Sequence, residues 1–265
     1  MATFDHPEAY ERWMGRWSRR LAPRFLDFAG PQLAGRYLDV GSGTGQLART
    51  LLARGKTLEV VGIEPAASYV AYARDRLRDP RVRFEIGDAQ ALCFPDDSFD
   101  GAFALLVLQE IPDPAAAVRE MRRVTRPGGL IAATQWDFRD GMPMLSEFWA
   151  AVAQVVPPQR ARAEAASRVP SGLSDPESQA ALWRACGLID VESTGLDIIQ
   201  EFTGFDDYWA PFTSNATPTS SFSASLSEAE RTALTEALRR RLLGEGPDRA
   251  FSLKARAWAV RGLVP

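Results

Sequence analysis

The chain has 265 residues, of which 46% are hydrophobic and 25% charged, which is typical of a globular protein that needs neither disulfides nor metal for its core. Its formal net charge of −3 argues against a protein that binds nucleic-acid phosphates through a broad basic face, so no nucleic-acid partner is expected. The single histidine, His6, and the widely separated Cys93 and Cys186 exclude a His–Cys metal cluster and a Ser-His-Asp triad deep in the fold. We therefore expect no metal site.

The sequence also lacks the patterns of targeting and membrane segments. Residues 1–15 have no apolar run behind a basic region, as a secretory signal would. The most apolar stretch, residues 102–108, has the length of a strand and not of a membrane span. A cytoplasmic protein without a membrane partner is the expectation.

Apolar runs alternate with helical periodicities along the first half of the chain. Tyr10, Met14 and Leu21 recur at helical spacing and predict an amphipathic helix, which Pro23 should end or kink. Strands are predicted over residues 36–40, 58–63, 82–86, 99–106 and 130–135, with helices over residues 47–54, 66–78 and 114–125 between them. This alternation predicts a parallel sheet with helices on both faces.

The alternation breaks down after residue 135. Helices are predicted over residues 145–156 and 227–243, and another begins at the capping box Ser174-Asp175-Pro176-Glu177. Two further strands are predicted over residues 188–193 and 253–260. The Ser/Thr-rich residues 213–225 contain few apolar side chains and are predicted to form a loop.

The most informative stretch is LDVGSGTG, residues 38–45, which follows a predicted strand and opens a helix. Glycines there allow a tight turn and a close approach of a ligand to the backbone, although a purely structural turn would look the same. No lysine follows the glycines, which excludes a phosphate-binding P-loop. Gln46 stands where the dinucleotide-binding fingerprint has its last glycine, so a cofactor without a pyrophosphate is favoured.

Acidic residues at the ends of two later strands sharpen this interpretation. Glu64 ends the second predicted strand, where a carboxylate can accept hydrogen bonds from both hydroxyls of an adenosine ribose. Asp88 follows the third strand, where it can accept from an adenine amino group. The alternatives are a solvated charge before Pro65 for Glu64, and a turn or helix cap for Asp88.

Four segments together resemble the class I S-adenosylmethionine-dependent methyltransferases, in the branch that includes ubiquinone/menaquinone-biosynthesis enzymes and many small-molecule methyltransferases. They are LDVGSGTG (38–45), VVGIEP (60–65), GDAQALCFPDDSFD (87–100) and RPGG (126–129), in the order and spacing of that family. The resemblance covers roughly residues 30–135, and YERWMGRWS (10–18) is similar to N-terminal arms of the same branch.

The resemblance implies a Rossmann-like α/β fold, with a seven-stranded, mostly parallel sheet, helices on both faces and an antiparallel last strand over residues 253–260. It implies one domain made of six segments. These are an arm (1–30), a cofactor-binding core (31–135), lid or substrate insertions (136–172 and 205–243) and segments completing the core (174–204 and 250–263).

The resemblance also implies which residues bind the cofactor, S-adenosylmethionine. The methionine part is expected against Gly41 and Gly43 with Asp39 near its amino end, the ribose at Glu64, the adenine at Asp88 and Ala89, and the wall at Leu105 and Leu106, with Ser42, Gln46 and Pro65 completing the set. Many relatives carry a His-His or similar pair after the fourth strand, where this chain has Gln109-Glu110.

Other candidates have equally plausible structural roles. Tyr10, Met14 and Arg16 could cap the cofactor, with Arg16 pairing with its carboxylate, or Tyr10 and Met14 could simply be the buried face of a helix. Glu110 and Tyr208 are the candidates for a general base, which is needed only if the acceptor must lose a proton. Tyr208 could instead belong to a core cluster, or line a substrate pocket with Trp209 and Phe212.

The expected function is methyl transfer to a small, partly apolar molecule enclosed by a lid. The two insertions carry its expected apolar walls: Trp136, Phe138, Met142, Met144, Phe148, Trp149, Tyr208, Trp209 and Phe212. Alternatively, these side chains pack against the sheet and each other and leave an open cleft. A protein that binds S-adenosylmethionine or S-adenosylhomocysteine without transferring a methyl group is the alternative function. The glycine spacing and Asp88 argue against a nicotinamide-dependent oxidoreductase.

Overall fold

The strands form one seven-stranded sheet in the order β3-β2-β1-β4-β5-β7-β6. The structure, a computed structural model, describes residues 6–32, 34–55, 57–158, 160, 173, 175–213 and 218–265. The strands are β1 Ala34–Val40, β2 Thr57–Glu64, β3 Val82–Ile86, β4 Phe99–Leu105, β5 Thr125–Trp136, β6 Ile189–Phe202 and β7 Phe251–Leu263. β1 to β5 pair in parallel, whereas β7 is antiparallel to both of its neighbours. The predicted sheet with its reversed last strand is confirmed.

Helices cover both faces of this sheet because the central strands are apolar on both sides. Along β4, Ala102 and Ala104 face one cluster of buried side chains, and Phe103 faces the other, as the two-residue period of a strand requires. One face is covered by α2 (Arg16–Ala29), α3 (Gln46–Arg54) and α4 (Ala67–Arg76), and the other by α5 (Pro114–Val124) and α7 (Pro176–Ala185).

A third group of buried side chains, which we call the lid cluster, gathers where the chain departs from strand–helix alternation. It combines apolar residues of the N-terminal arm (Pro7–Ala29) with α6 (Pro143–Val155), α8 (Phe205–Trp209), α9 (Pro218–Ala224), α10 (Glu228–Leu243) and parts of β6 and β7. Leu106 and Trp136, at the carboxyl ends of β4 and β5, belong to it as well. The lid cluster therefore adjoins the sheet edge at which ligands of open α/β folds bind.

The N-terminal arm does not end at Pro23. It contains α1 (Pro7–Tyr10), a π-helical segment (Glu11–Gly15) and α2, which continues through Pro23 to Ala29. A proline inside a helix removes one backbone hydrogen bond. Here Ala22, Phe25 and Leu26 are fully buried against the sheet, and this burial outweighs the loss.

One further expectation from the sequence was wrong. Residues 218–224 of the predicted Ser/Thr-rich loop form α9, because Phe222 packs against Trp149 with ring centroids 5.2 Å apart. The helix predicted to begin at Ser174 is capped by Asp175, whose carboxylate accepts from Ser178 N at 2.9 Å. Ser174 and residues 161–172 of the first predicted insertion lie outside the described residues. In the part of the chain that the structure describes, no helix combines the length and apolarity needed to span a membrane.

Candidate active site

The glycine-rich turn between β1 and α3 follows the sequence prediction closely. Gly41, Gly43 and Gly45 all have left-handed φ values, of 66°, 50° and 83°, which residues with a side chain rarely adopt. Ser42 N donates to Ile63 O at 2.9 Å, which ties the turn to the end of β2. A Cβ on Gly41 would lie 2.3 Å from Val107 Cγ2, so this residue after β4 covers the turn closely. The sequence analysis did not identify Val107. The feature that could have indicated it is its position two residues after the end of a buried strand.

Glu64 sits beside this turn because parallel β1 and β2 end at the same edge, with Val40 opposite Ile63. Its Oε2 accepts from Gly43 N and its Oε1 from Ala66 N, both at 3.1 Å. Burial raises the pKa of Glu64 above its ordinary value, although the two backbone donors oppose the shift. A carboxylate offers about four acceptor positions, so this one retains capacity for a ligand's hydroxyls.

Asp39 is also at this edge, but it is directed into the protein. It is 1% exposed, and its Oδ2 accepts from Ala48 N, the third residue of α3, at 3.1 Å. The α3 N-cap is Gly45, which has no side chain for capping, so Asp39 satisfies a helix N-terminus from a neighbouring strand. Burial raises the pKa of Asp39 to about 7.

The predicted adenine residues follow β3. Asp88 is exposed and its Oδ1 accepts from Gln90 N at 2.9 Å, so the turn-capping role considered for it is present. Its exposed carboxylate also remains within reach of a ligand. Ala89 is buried, and Pro65, after Glu64, is exposed. Ile86, which sequence reasoning did not single out, is 61% exposed and places apolar surface next to these residues.

The end of β4 forms the opposite side of the site. Leu105 is half-buried and ends β4, whereas Leu106 is buried with a φ of 62°, strained for a side chain of this size. Leu106 N donates to Thr134 O at 3.0 Å, which stabilises this conformation. The next turn, Leu108–Glu110, carries Glu110, whose pKa is raised because surrounding protein desolvates the carboxyl.

The N-terminal arm lies across the glycine turn and brings Tyr10 to the site. The Tyr10 ring packs edge-on against Tyr69, with centroids 5.7 Å apart. Burial, together with the smaller effect of the nearby charges of Glu11, Glu64 and Glu110, raises the pKa of Tyr10 to about 12. Met14 is buried in the lid cluster. Glu11, which sequence reasoning also missed, bonds to Thr44 and Gln46 in the turn.

Two predicted residues are placed away from the glycine turn. Arg16 Nη1 lies 2.7 Å from Asp207 Oδ1, and its guanidinium stacks over Trp17, so a carboxylate of α8 takes the place of its expected partner. Tyr208 is fully buried, and its hydroxyl donates to Met144 O at 2.7 Å. Burial raises its pKa far above the ordinary range, and the buried, bonded hydroxyl argues against Tyr208 as the general base.

The aromatic side chains of the predicted lid mostly pack on one another. Phe148 stacks on Phe212 with ring centroids 4.5 Å apart, and Phe202 packs edge-on against Tyr208 at 5.4 Å. This favours the core-cluster interpretation for Tyr208 and Phe212. Ser42 is also turned inward, because its buried Oγ lies 2.8 Å from where a Cβ on Gly62 would stand.

A seven-stranded α/β sheet, a glycine turn after β1 and a carboxylate at the end of β2 define a Rossmann-like nucleotide-cofactor fold. The family model described as "Methyltransferase domain" matches residues 38–133. Demethylmenaquinone methyltransferase of Roseiflexus sp. is 35% identical over 172 residues, which cover 62% of this chain and 71% of that protein. The chain belongs to the methyltransferase-domain family.

Two other similarities are informative about coverage and fold. The 2-methyl-6-phytyl-1,4-hydroquinone methyltransferase of Synechocystis sp. is 37% identical over 114 residues, and the match spans 42% of this chain but only 35% of that protein. Phosphoethanolamine N-methyltransferase 2 of Haemonchus contortus, solved with phosphomonomethylethanolamine and S-adenosylhomocysteine, superimposes with a TM-score of 0.61. It is 21% identical and covers 99% of this chain and 58% of its own, a likeness that shows a shared fold.

Proposed function

We propose that this protein binds S-adenosylmethionine at the carboxyl edge of its sheet and transfers the methyl group to a small, partly apolar molecule. The observation that carries the proposal is Glu64, a half-buried carboxylate held 3.1 Å from the backbone N–H of Gly43 within the turn that a nucleoside would approach. The two sequence relatives described above are named for methylation of a phytyl hydroquinone and of demethylmenaquinone. We extend the small-molecule class to this chain, but not a particular acceptor.

The residues present suit a positively charged cofactor. Glu64 and Glu110 carry pKa values raised by desolvation, and they lie at or just beyond the carboxyl ends of β2 and β4. A cation placed among them would favour their ionised forms, and their charges would attract it in return. S-adenosylmethionine, when bound, supplies an activated methyl group on a positively charged sulfur.

The chain's own residues would position and shield the reactants. Glu64 would hold the ribose and Asp88 the adenine, while Gly41 and Gly43 let the backbone approach the ligand closely. Leu105, Leu106 and the arm would exclude water and hold the acceptor in line, which is the main protein contribution to a one-step displacement. Glu110 stays the candidate general base for an acceptor that must lose a proton.

The lid cluster supports a partly apolar acceptor. It includes Leu106, just beyond the end of β4, and consists largely of aromatic and aliphatic side chains. Within it, the indole Nε1 of Trp13 is buried and has no hydrogen-bond partner in the described part of the chain. Small-ligand pockets are lined mostly by apolar side chains, with a few polar groups that orient the ligand.

The test is calorimetric titration of the protein and its Glu64→Gln variant with S-adenosylhomocysteine. Glu64→Gln should weaken binding by about 1–3 kcal/mol, because it removes charge-assisted hydrogen bonds to the ribose hydroxyls. Glu59→Gln is the matched control, an exposed glutamate on the same strand that should leave the affinity unchanged. Equal affinity of the Glu64 variant would remove the ribose assignment.

A second measurement separates the two functions. Transfer of a labelled methyl group from S-adenosylmethionine to small phenols and hydroquinones is expected. Cofactor binding with no transfer to any acceptor tried would favour a binding protein without methyl-transfer activity.

A further inference from the structure

The N-terminal arm places a carboxylate on the glycine turn of its own chain. Glu11 Oε1 accepts from Thr44 Oγ1 and from Gln46 Nε2, the latter at 2.9 Å. Its Oε2 lies 3.2 Å from Arg19 Nη2. The Glu11 side chain is only 13% exposed, so this carboxylate is largely enclosed by its donors.

Thr44, Gln46 and Arg19 make up what we call the carboxylate receptor. Their donors are a hydroxyl, an amide and a guanidinium, which together favour an anionic ligand. Arg19 Nε also donates to Gln46 Oε1 at 3.4 Å, so two members of the receptor orient each other. Gln46 is the first residue of α3, whose N-terminus adds partial positive charge.

The local backbone leaves room for Glu11 to reach this receptor. Residues Glu11–Gly15 form a π-helical segment, a rare geometry that is frequent at functional sites. A Cβ on Gly15 would lie 2.6 Å from both Cδ and Oε1 of Glu11, and the three nearest atoms all belong to Glu11. The absence of a side chain at position 15 therefore permits the folded-back conformation of Glu11.

The neighbouring Tyr10 follows the same path across the site. Its ring packs against Tyr69 with centroids 5.7 Å apart, and the charges of Glu11, Glu64 and Glu110 all act on its hydroxyl. Residues 10 and 11 thus span the turn along which a nucleoside carrying an amino acid would lie.

We propose that Glu11 is an internal competitor for the carboxylate of the cofactor's amino-acid part, held in the receptor of Thr44, Gln46 and Arg19 until the cofactor enters. This inference rests on the proposed function. Cofactor binding would exchange one carboxylate for another in the receptor and displace Glu11 and Tyr10 from the turn. The π-helical segment is where the arm would change conformation.

Two ligands separate competition for the receptor from a general effect of the arm. S-adenosylhomocysteine carries the carboxylate, whereas 5′-methylthioadenosine has the same nucleoside and sulfur without the amino acid. Glu11→Gln removes the competing charge, and it should bind S-adenosylhomocysteine roughly three- to ten-fold more tightly than the unchanged protein. Its affinity for 5′-methylthioadenosine should stay unchanged. Glu8→Gln, an exposed glutamate on the same arm, is the matched control for net charge.

Gly15→Ala provides an independent variant, because the added Cβ should drive the Glu11 carboxylate from the receptor. As a single substitution, Gly15→Ala should tighten the binding of S-adenosylhomocysteine. Added to Glu11→Gln, it should have no further effect on that affinity. Weaker binding of both ligands by Glu11→Gln would mean that Glu11 holds the arm over the cofactor, and would overturn the proposal. If Glu11→Gln binds each of the two ligands with the same affinity as the unchanged protein, the proposal is also overturned. If the unchanged protein binds neither ligand, the proposed function itself fails.

Discussion

Asp39 is an acidic side chain that folding has enclosed, and its protonation should influence stability. Its pKa in the folded protein is raised to about 7 from an ordinary value of 3.8. The folded state therefore keeps a proton that the unfolded chain releases between these values, and the contribution of Asp39 to stability falls as pH rises through that window. Above about pH 7 both states are ionised, and the contribution no longer changes.

Asp39→Asn should remove this pH dependence, because asparagine keeps an acceptor for Ala48 N but does not titrate. The free energy of unfolding of the variant, relative to the unchanged protein, should rise by about 2–3 kcal/mol between pH 5 and pH 8. Urea denaturation at the two pH values measures this. The exposed Asp206→Asn serves as the control. Parallel pH profiles for Asp39→Asn and the unchanged protein would contradict the prediction.

We expect Tyr208 to contribute to packing and not to catalysis. Tyr208→Phe removes the hydroxyl that donates to Met144 O at 2.7 Å, and it should lower the free energy of unfolding by about 1 kcal/mol. The pH profile of methyl transfer should keep its shape, since no titrating group of the site is lost. Urea denaturation tests the expected loss of stability, and a pH–rate profile tests the expected unchanged pH dependence of methyl transfer. A stable variant with a shifted profile would restore Tyr208 as a catalytic candidate.

At the scale of elements, α10 depends on a well-formed N-terminal cap. Ser227 Oγ accepts from Glu230 N at 3.2 Å, while Glu230 Oε2 accepts from Ser227 N at 2.8 Å. This reciprocal capping box satisfies two donors that the helix itself leaves unpaired. The helix is also tied to α6 through Arg241 Nε, 2.7 Å from Glu147 Oε2.

Ser227→Ala should therefore destabilise the protein by about 1 kcal/mol. Thr232→Ala, an exposed change inside the same helix, is the control and should be neutral or slightly stabilising because alanine is the better helix former. Thermal or urea denaturation distinguishes the variants. An equal effect of both would show that the cap is not what stabilises α10.

At the scale of the whole molecule, the glycine turn, the end of β4 and the arm meet at one edge of a single sheet. A ligand that binds only the folded state stabilises it by mass action, by about 2.7 kcal/mol at a concentration one hundred times Kd. For a domain of this size that corresponds to a rise in Tm of roughly 5–10 °C. We expect this shift with S-adenosylhomocysteine and a smaller one at equal concentration in Glu64→Gln. Calorimetric binding without any thermal shift would contradict this expectation.

Local chemistry was sufficient to predict the strands, most helices and the glycine-rich turn after β1. The glycine turn and Glu64 were recoverable because backbone freedom is a property of single residues, and because parallel strands bring their carboxyl ends to one edge. The reversal of β7 came from family resemblance, and the structure confirms it. The turn at Asp88 could also be predicted from the sequence, because an aspartate side chain commonly accepts from a backbone N–H two residues further along the chain.

Partners distant in sequence were decided only by tertiary structure. Arg16 pairs with Asp207, which is 191 residues away along the chain. No pattern in the sequence around Arg16 predicts this partner. The same holds for the hydrogen bond of Tyr208 to Met144 O, for the continuation of α2 through Pro23, and for Glu11 in the receptor of Thr44, Gln46 and Arg19. A side chain's rotamer and partner follow from which groups the folded chain brings within reach, so spacing along the chain shows which residues share a face but not what they touch.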